Sequence, residues 1–495
     1  MNRSIRRLYL VLAGGFGLLV LMLGWWQVVA ADDLKDRPGN QQTLEAERLI
    51  DRGRILSADG KVLAASRAVR VRGRRVFERL YPQGSLAAHA IGYASSSQGR
   101  TGIESTYNRY LSGSFGTEPL LQRLNLKEKR GADVTLSIDT RIQQAAEEGL
   151  AGRRGAVVAL DPRTGEVLAL ASYPAFDLQQ AVTDYDAIPT EGSPFVDRAT
   201  SGLYPPGSTF KVVTTTAALE SGEFTPDSSF DDTGSYDTPG GPIRNFGGEV
   251  YGRHDLATAL TNSINTTFAT IGDELGAETM GGQMTKFGFG ERPAIDLPED
   301  EVLPSGRRED GKLLPNGQEG MDVARVAIGQ ENLTVTPLQM AMVASAVANG
   351  GTLMAPHLMT RIRDRGGDVV QTAGAKELGD VMDATTAAEL TAMMQSVVEQ
   401  GTGTPANLSA AGVDVAGKTG TAESDDPNRN QAWFIGFAPA SAPPVPDVSS
   451  TTTATAMVGA SAGANPMNQA WLRFGSSDSA VPVVPATSTP AAATS

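Results

Sequence analysis

Leu203-Tyr204-Pro205-Pro206-Gly207-Ser208-Thr209-Phe210-Lys211 is the stretch whose reading decides the rest of the chain. The prolines and the glycine bar a regular element before Ser208, and the residues from Ser208 to Leu219 read as a helix. In such a helix Ser208 and Lys211 stand at i and i+3, on one face. Ser208 falls in the first turn, where backbone N–H groups lack partners and the helix dipole favours negative charge. A partly desolvated lysine beside it would have a lowered pKa and could accept the hydroxyl proton. The same residues also suit a serine helix cap followed by a surface lysine.

Further along, Ser263-Ile264-Asn265 offers a hydroxyl that could relay a proton and an amide that could hold a substrate amide. On its own that tripeptide is a chance occurrence. Lys418-Thr419-Gly420-Thr421 lies in a strand-like segment, Val415 to Glu423. Pleating sets Thr419 and Thr421 on one side and Lys418 on the other, so Lys418 reaches a cleft only over the strand edge or through a local twist. Gly420 removes a side chain where a substrate backbone would come close. The plainer alternative is a solvated edge strand carrying a protective lysine.

Around these pieces, Asp139 to Leu150 reads as an amphipathic helix with Ile142, Ala145, Ala146 and Leu150 on one side. Gly155 to Leu160 reads as a buried strand, Asp161 to Gly165 as a tight turn and Glu166 to Ser172 as the returning strand. Further helices are expected at Asp255 to Ile271 and Pro337 to Asn349, and a strand pair at Val415–Glu423 and Ala432–Phe437. Strands, then helices, then strands indicate one sheet built from distant parts of the chain and covered by helices on both sides. Residues 131–438 therefore read as one α+β domain. Residues 32–130 hold short β-like pieces, Lys61–Leu63 and Ala68–Arg72, but no polar constellation suited to chemistry, and read as a stalk or docking platform. Residues 439–495 are rich in Pro, Ser, Thr and Ala. Such composition favours disorder. Only a weak, polar last strand is expected there, at Thr451 to Val458, with Asn465 to Leu472 too short for a packing helix.

At the N-terminus Arg3, Arg6 and Arg7 precede an uncharged run from Leu8 to Ala31. As a helix this run would be about 36 Å long, enough for a hydrocarbon core of about 30 Å. Trp25 and Trp26 would sit near its outer end, and the arginines would stay in the cytoplasm. A cleaved signal peptide, with Val29-Ala30-Ala31 as its cleavage site, is the rival, but its apolar region would be shorter. Residues 1–31 are thus expected to be a cytoplasmic tip and a transmembrane anchor, with the remainder outside. The 495 residues carry a formal charge of −14, which argues against nucleic acid as a partner. The chain has no cysteine and three histidines, His89, His254 and His357. A thiolate nucleophile, a disulfide framework and a Cys-based metal site are excluded, and no metal or cofactor is expected.

The order Ser208-Thr209-Phe210-Lys211, Ser263-Ile264-Asn265, Lys418-Thr419-Gly420-Thr421 resembles the Ser-x-x-Lys, Ser-x-Asn, Lys-Thr-Gly set of penicillin-binding proteins and serine β-lactamases. Arg198-Ala199, Gly329-Gln330, Thr336 to Ala341, Ala348 to Gly351, Val397-Val398 with Gly401-Thr402, and Trp433 to Phe437 resemble further stretches of that family. Arg52 to Ile55 and Gly102-Ile103-Glu104 resemble its non-catalytic module. The likeness covers about residues 1–438 and is strongest to the class B type, in particular the actinobacterial penicillin-binding protein A group. Class A members need a glycan polymerase domain for which residues 32–130 leave no room.

The resemblance implies a serine β-lactamase/transpeptidase-like domain, an antiparallel sheet covered by helices, at 131–438. It implies a mostly β dimerisation or pedestal module before it and one transmembrane helix. It implies a penicillin-sensitive D,D-transpeptidase that cross-links peptidoglycan stem peptides ending in D-Ala-D-Ala through an acyl-enzyme, and that β-lactams acylate. Ser208 would be the nucleophile, Lys211 the base and Ser263 the proton relay. Asn265 would hold the donor amide, and Lys418, Thr419, Gly420 and Thr421 would bind substrate. Backbone N–H groups of Ser208 and Thr421 would form the oxyanion hole. The implied partners are a SEDS-type glycan polymerase and other wall-synthesis or division proteins. A D,D-carboxypeptidase uses the same groups, and the polar tail leaves room for a catalytically weak scaffold. A β-lactamase is disfavoured, because no stretch is placed like the Glu-bearing loop that activates the deacylating water.

Overall fold

The computed structural model describes residues 3–26, 48–115, 130–150, 152–422, 430–440 and 455–462, the last as backbone. The chain opens with α1 (Arg3–Gly24). Its apolar part, Ile5–Gly24, has 20 residues, a mean hydropathy of 1.9 and no protein cover. Past Arg6 and Arg7, its uncharged part from Leu8 to Gly24 spans about 26 Å at about 1.5 Å per residue, close to a bilayer's hydrocarbon thickness of about 30 Å. Positions 27–31 of the expected apolar run lie outside the described residues.

Next come β1 (Ile55–Leu56), β2 (Val62–Val71), β3 (Arg74–Leu80), β4 (Asp133–Leu136), α2 (Thr140–Leu150), β5 (Gly155–Leu160) and β6 (Val167–Tyr173). They are followed by α3 (Lys211–Ser221), β7 (Ile243–Arg244), α4 (Leu256–Asn262), α5 (Asn265–Lys286), α6 (Pro337–Ala348), β8 (Met359–Arg363), β9 (Val369–Thr372) and α7 (Ala384–Gln400). The last strands are β10 (Ala416–Ala422), β11 (Gln431–Ala438) and β12 (Thr455–Ala462).

Two sheets organise these elements. The first runs β9-β8-β4-β1-β2-β3, so strands near the N-terminus share a sheet with strands from beyond residue 350. The two β-like pieces expected at Lys61–Leu63 and Ala68–Arg72 are a single strand, because pairing with β3 runs unbroken from Ala65 to Val71. Beneath this sheet Glu104 is fully buried. Arg52 meets its Oε2 at 2.7 Å, Arg79 and the Tyr81 hydroxyl donate to its Oε1, and Arg79 also reaches the Gly53 carbonyl. Burial pushes the Glu104 carboxyl upward, but the Arg79 and Arg52 guanidiniums outweigh it and hold the group below its ordinary range. The stretches around Arg52 and Glu104, far apart in sequence, are thereby one buried ion cluster.

The second sheet is wholly antiparallel, in the order β10-β11-β12-β5-β6. Strand β5 is buried on both faces. Ala156, Val158 and Leu160 join the main core, while Val157 and Ala159 pack with Ala146 and Leu150 of α2. On the main-core side α6, buried from Pro337 to Val347, lies across β5, β11 and β12. Removing each such Leu, Met or Val from water contributes about 1.5–3 kcal/mol. Helices therefore cover both faces, as the strand–helix–strand order predicts.

Several local expectations are corrected. The α-helix after Gly207 begins at Lys211, and Ser208 lies in a 3₁₀ turn, Gly207–Phe210, that leads into it. The expected single helix over Asp255–Ile271 is two, α4 and α5, because Ser263 adopts a left-handed conformation with φ +59°. The 17-residue helix α7, capped by Asp383, was not anticipated. The last strand is shifted to Thr455–Ala462, between β11 and β5. Positions 451–454 and the Asn465–Leu472 segment lie outside the described residues.

Candidate active site

Ser208 is half-buried on its 3₁₀ turn, and that turn is held from three directions. The Gly207 N–H donates to the Gly329 carbonyl at 3.2 Å, and the Trp433 indole donates to the Pro205 carbonyl at 2.9 Å. Edge strand β10 lies against the third side, with backbone on backbone. A Cβ on Gly207, where φ is +51°, would sit 2.5 Å from the Thr421 carbonyl oxygen. A Cβ on Gly420 would sit 2.9 Å from both the Pro206 carbonyl and the Thr209 nitrogen. The two glycines let the turn and the strand touch, and so bring the Ser208 and Thr421 main chains side by side.

Lys211, one helical turn beyond Ser208, is fully buried. Its Nζ donates to the Ser263 carbonyl at 2.7 Å, to Asn265 Oδ1 at 2.7 Å and to Ser263 Oγ at 3.2 Å. It also stands 5.3 Å from the centre of the Phe268 ring. The break between α4 and α5 makes this possible. A continuous helix would engage the Ser263 carbonyl in its own ladder, whereas the left-handed residue turns carbonyl and hydroxyl together toward Lys211. Such a conformation costs a non-glycine residue about 1–3 kcal/mol and is retained where the surroundings enforce it.

Lys418 on β10 is also fully buried, which excludes the reading of a solvated protective lysine. Its Nζ donates to Ser263 Oγ at 2.9 Å and to the Thr419 carbonyl at 3.0 Å. It reaches inward while Thr419 and Thr421 remain half-buried, as the pleat requires. The Ser263 hydroxyl thus lies between two lysine amines. Burial drives the Lys418 pKa from 10.5 to about 7. Burial, then the neighbouring Lys418 charge, drives the Lys211 pKa well below its ordinary value. Two ammonium groups on one hydroxyl, out of water, are costly, so burial and the Lys418 charge both favour the neutral amine of Lys211.

All the predicted side chains except that of Ser208 are placed by hydrogen bonds or by strand register. Asn265 is bound at both ends of its amide, with Oδ1 on Lys211 and Nδ2 donating to the Arg244 carbonyl on β7 at 2.9 Å. Gly420 lies opposite Trp433 and Thr421 opposite Ala432 in the β10–β11 register. Three contributors escaped the sequence reading: Phe268, Arg244 and Thr402. The Thr402 hydroxyl lies 2.6 Å from the Thr419 hydroxyl. Its Gly401-Thr402 dipeptide was noticed, but nothing in the sequence ties it to Thr419.

A serine at a turn, a buried amine one helical turn away, a bridging hydroxyl and a second buried amine are the groups that a nucleophile with its own base and proton relay requires. Comparison with known proteins places the chain as a whole. A family model described as "Penicillin binding protein transpeptidase domain" matches residues 155–468, and one described as "Penicillin binding protein A dimerisation domain" matches residues 52–134. The chain is 33% identical over 477 residues to the peptidoglycan D,D-transpeptidase PbpA of Mycobacterium tuberculosis, covering 90% of this chain and 92% of that protein. It is 33% identical over 472 residues to PbpA of Mycolicibacterium smegmatis, again covering 90% and 92%. Among solved structures, the imipenem acyl-enzyme complex of penicillin-binding protein A from M. tuberculosis superposes with a TM-score of 0.72 at 31% identity, covering 85% of this chain and 94% of that one.

Proposed function

The chain belongs to the class B penicillin-binding proteins, the serine-type D,D-transpeptidases related to actinobacterial penicillin-binding protein A, and from that premise we propose a role for each residue of its site. Ser208 Oγ attacks the carbonyl joining the two terminal D-alanines of a peptidoglycan stem peptide. Lys211, kept as a free amine by burial and by Lys418, accepts the hydroxyl proton. The backbone N–H groups of Ser208 and Thr421 receive the developing oxyanion, a role supported by the contact between the Gly207 turn and β10.

The C–N bond then breaks. The proton held at Lys211 passes through Ser263 Oγ to the departing amine of D-alanine, a path supported by the 3.2 and 2.9 Å contacts on that hydroxyl. Lys418, with the hydroxyls of Thr419 and Thr421, holds the terminal carboxylate, and Gly420 admits the substrate backbone. An incoming carboxylate favours the ammonium form of Lys418, so binding itself supplies the charge that burial withholds. Asn265 holds Lys211 and the donor amide. An acceptor amine from a neighbouring strand then attacks the ester, gives up a proton and releases Ser208. A β-lactam acylates the same serine. Water in place of the amine would make the product that of a carboxypeptidase.

The observation that carries this reading is the Ser263 hydroxyl shared by two buried amines. Its test is labelling with a fluorescent penicillin, followed by mapping of the labelled peptide. Label on the peptide containing Ser208, lost in a folded Ser208→Ala protein, is the expected result. Full labelling of that variant overturns the assignment.

The N-terminal apolar helix is of a kind that anchors a protein in a membrane. In our reading Arg3, Arg6 and Arg7 stay in the cytoplasm and the domains after residue 32 stand outside, supported by the basic residues on one flank only. Protease added to spheroplasts should then remove the soluble part, and its protection reverses the orientation. A membrane-embedded glycan polymerase of the SEDS type is the partner that the class B resemblance implies. It should co-purify with the full chain, and with Ser208→Ala equally, because docking and catalysis use different surfaces.

A further inference from the structure

The hairpin β2–β3 is built against its own stability. Between Val62 and Leu80 it carries six arginines and one carboxylate, Glu78, in a chain whose formal charge is −14. Glu78 is paired with Arg67 at 3.0 Å. Beyond that pair the register sets Arg70 directly opposite Arg75, and Val71 opposite Arg74. Like charges directly across an antiparallel pair are destabilising. The turn adds a second conflict. Arg72 and Gly73 are both left-handed, with φ +49° and +81°. Two-residue hairpins with that geometry favour Asn-Gly or Gly-Gly, because an ordinary L residue in the first place is strained. The chain nevertheless places an arginine there.

Arg70, Arg72, Arg74 and Arg75 are all exposed. Among the described residues none of the four makes an ion pair, and the Arg75 guanidinium lies 5.1 Å from the Phe77 ring centre. Val71, half exposed at 50%, stands among them at the tip. Internally the arrangement gains the contact of Arg75 with the Phe77 ring and a charged edge strand, which do not require four unpaired arginines at one tip. An external anionic surface would relieve both the crowding of charge and the exposure of the apolar tip.

The chain's own path indicates which surface. The Phe77 N–H on β3 donates to the Arg48 carbonyl at 2.7 Å. Arg48 is the first described residue after the 21-residue segment 27–47 that comes from α1. The hairpin therefore lies beside the point where the chain returns from its apolar helix. That segment reaches at most about 76 Å fully extended, so the hairpin is tethered within reach of the bilayer that α1 enters.

We propose that the Arg70–Arg75 tip docks on the anionic phospholipid surface of that bilayer. The inference rests on the anchoring role of α1 in the preceding reading. Guanidinium forks pair with lipid phosphates, and Val71 enters the headgroup layer between them. Two points of attachment fix how the module leans over the membrane, which one helix and a long linking segment do not.

The chain has no cysteine, so Val71→Cys gives one labelling site. The full chain carrying an environment-sensitive fluorophore at that position is placed in lipid nanodiscs. One set contains phosphatidylcholine alone, the other adds phosphatidylglycerol, and both carry a headgroup spin label as quencher. Quenching is expected in the anionic discs and is expected to fall to the phosphatidylcholine level in 1 M salt, where the screening length is about 3 Å. It is likewise expected to be lost when Arg70→Thr, Arg72→Asn, Arg74→Thr and Arg75→Thr are combined. Those replacements suit strand pairing and the left-handed turn, so the hairpin should be at least as stable, and penicillin labelling checks that the chain is folded. Equal quenching in both lipids, or quenching that survives the fourfold replacement, overturns the proposal. A tip made for an acidic protein would not respond in discs holding lipid alone, which overturns it too. If instead α1 does not insert, the chain fails to co-purify with either disc, and the anchor reading fails separately.

Discussion

Replacing Lys418 by methionine tests the electrostatics of the site without touching the nucleophile. Unfolded, the Lys418 ammonium keeps its proton up to about pH 10.5, whereas in the fold its pKa is about 7. Between those values the unfolded chain binds more protons, so stability rises with pH through that window and is lowest, for this group, at and below pH 7. At about 1.36 kcal/mol for each pH unit, the fall from 10.5 to about 7 corresponds to about 5 kcal/mol, of which about 3.5 kcal/mol is gained between pH 7 and pH 10. Lys418→Met removes this dependence, and it also frees Lys211 of a neighbouring positive charge, which enlarges the difference. Urea unfolding of detergent-solubilised protein, followed by tryptophan fluorescence, should therefore show the wild type gaining on the variant as pH rises from 7 to 10. Which protein is more stable at pH 7 does not matter, because the variant also loses the bonds to Ser263 and Thr419. Only the change in the gap is diagnostic. A gap that stays constant over this range would mean that Lys418 keeps an ordinary pKa and stays an ammonium, and the claim that burial withholds its charge until substrate binds would fail.

Other substitutions separate the remaining parts. Thr402→Val should slow acylation by carboxylate-bearing β-lactams about two- to tenfold, the effect of one lost hydrogen bond to Thr419, with Thr402→Ser restoring the rate. Gly207→Ala should abolish penicillin labelling and lower the melting temperature, because φ there is +51° and the new Cβ meets the Thr421 oxygen at 2.5 Å. Glu104→Gln should cost about 3–5 kcal/mol of stability in denaturant titration, as it leaves Arg52 and Arg79 buried without a full counter-charge. In the wild type that stability is present above about pH 4.5 and is lost as pH falls through the lowered folded pKa of Glu104, while Glu104→Gln should show no such loss.

What the sequence reveals depends on whether a signal is local. The β5–β6 hairpin is legible because an unbroken apolar run meets a turn of Asp161, Pro162 and Gly165. The turn at Ser208 is legible because Pro205, Pro206 and Gly207 permit little else. The break at Ser263 is not, because Asn262-Ser263-Ile264-Asn265 contains neither glycine nor proline, and its left-handed residue is held by partners on other elements. Helix α7 left a readable mark, the buried spacing Ala387, Leu390, Met394, Val397, which its many alanines and threonines obscured. The inward reach of Lys418 follows from no neighbour in sequence. The hydroxyl that receives it comes from the far side of the cleft, and only the packed fold brings the two within 2.9 Å.

The polar tail fits the centre of the sheet for a reason that composition hides. Pairing begins at Thr455, so the run from Ser449 to Thr453 precedes the strand, and the paired segment is Thr-Ala-Met-Val-Gly-Ala-Ser-Ala. In the register with β11, Ala460 falls beside Trp433, Gly459 beside Phe434 and Ala456 beside Phe437, whereas Met457 falls beside Gly436. On the other side β5 sets Ala156 beside Ala460 and Ala159 beside Met457, while Val157 and Leu160 fall beside Gly459 and Ala456, and Val458 alone stands between two branched residues, Ile435 and Val158. By register, then, the sequence sets a small residue of β12 beside each of the three aromatic residues of β11, the alternation that a close-packed interior requires. A strand of uniform valine and isoleucine would set branched side chains beside Trp433 and Phe434, and overpacking of that kind costs about 1–3 kcal/mol. Strand β12 bears directly on the chemistry, because β10 is an edge strand bonded to β11, and β11 joins the rest of the sheet through β12. The position of Lys418 against Ser263 therefore depends on the backbone pairing of a segment with no proposed site residue.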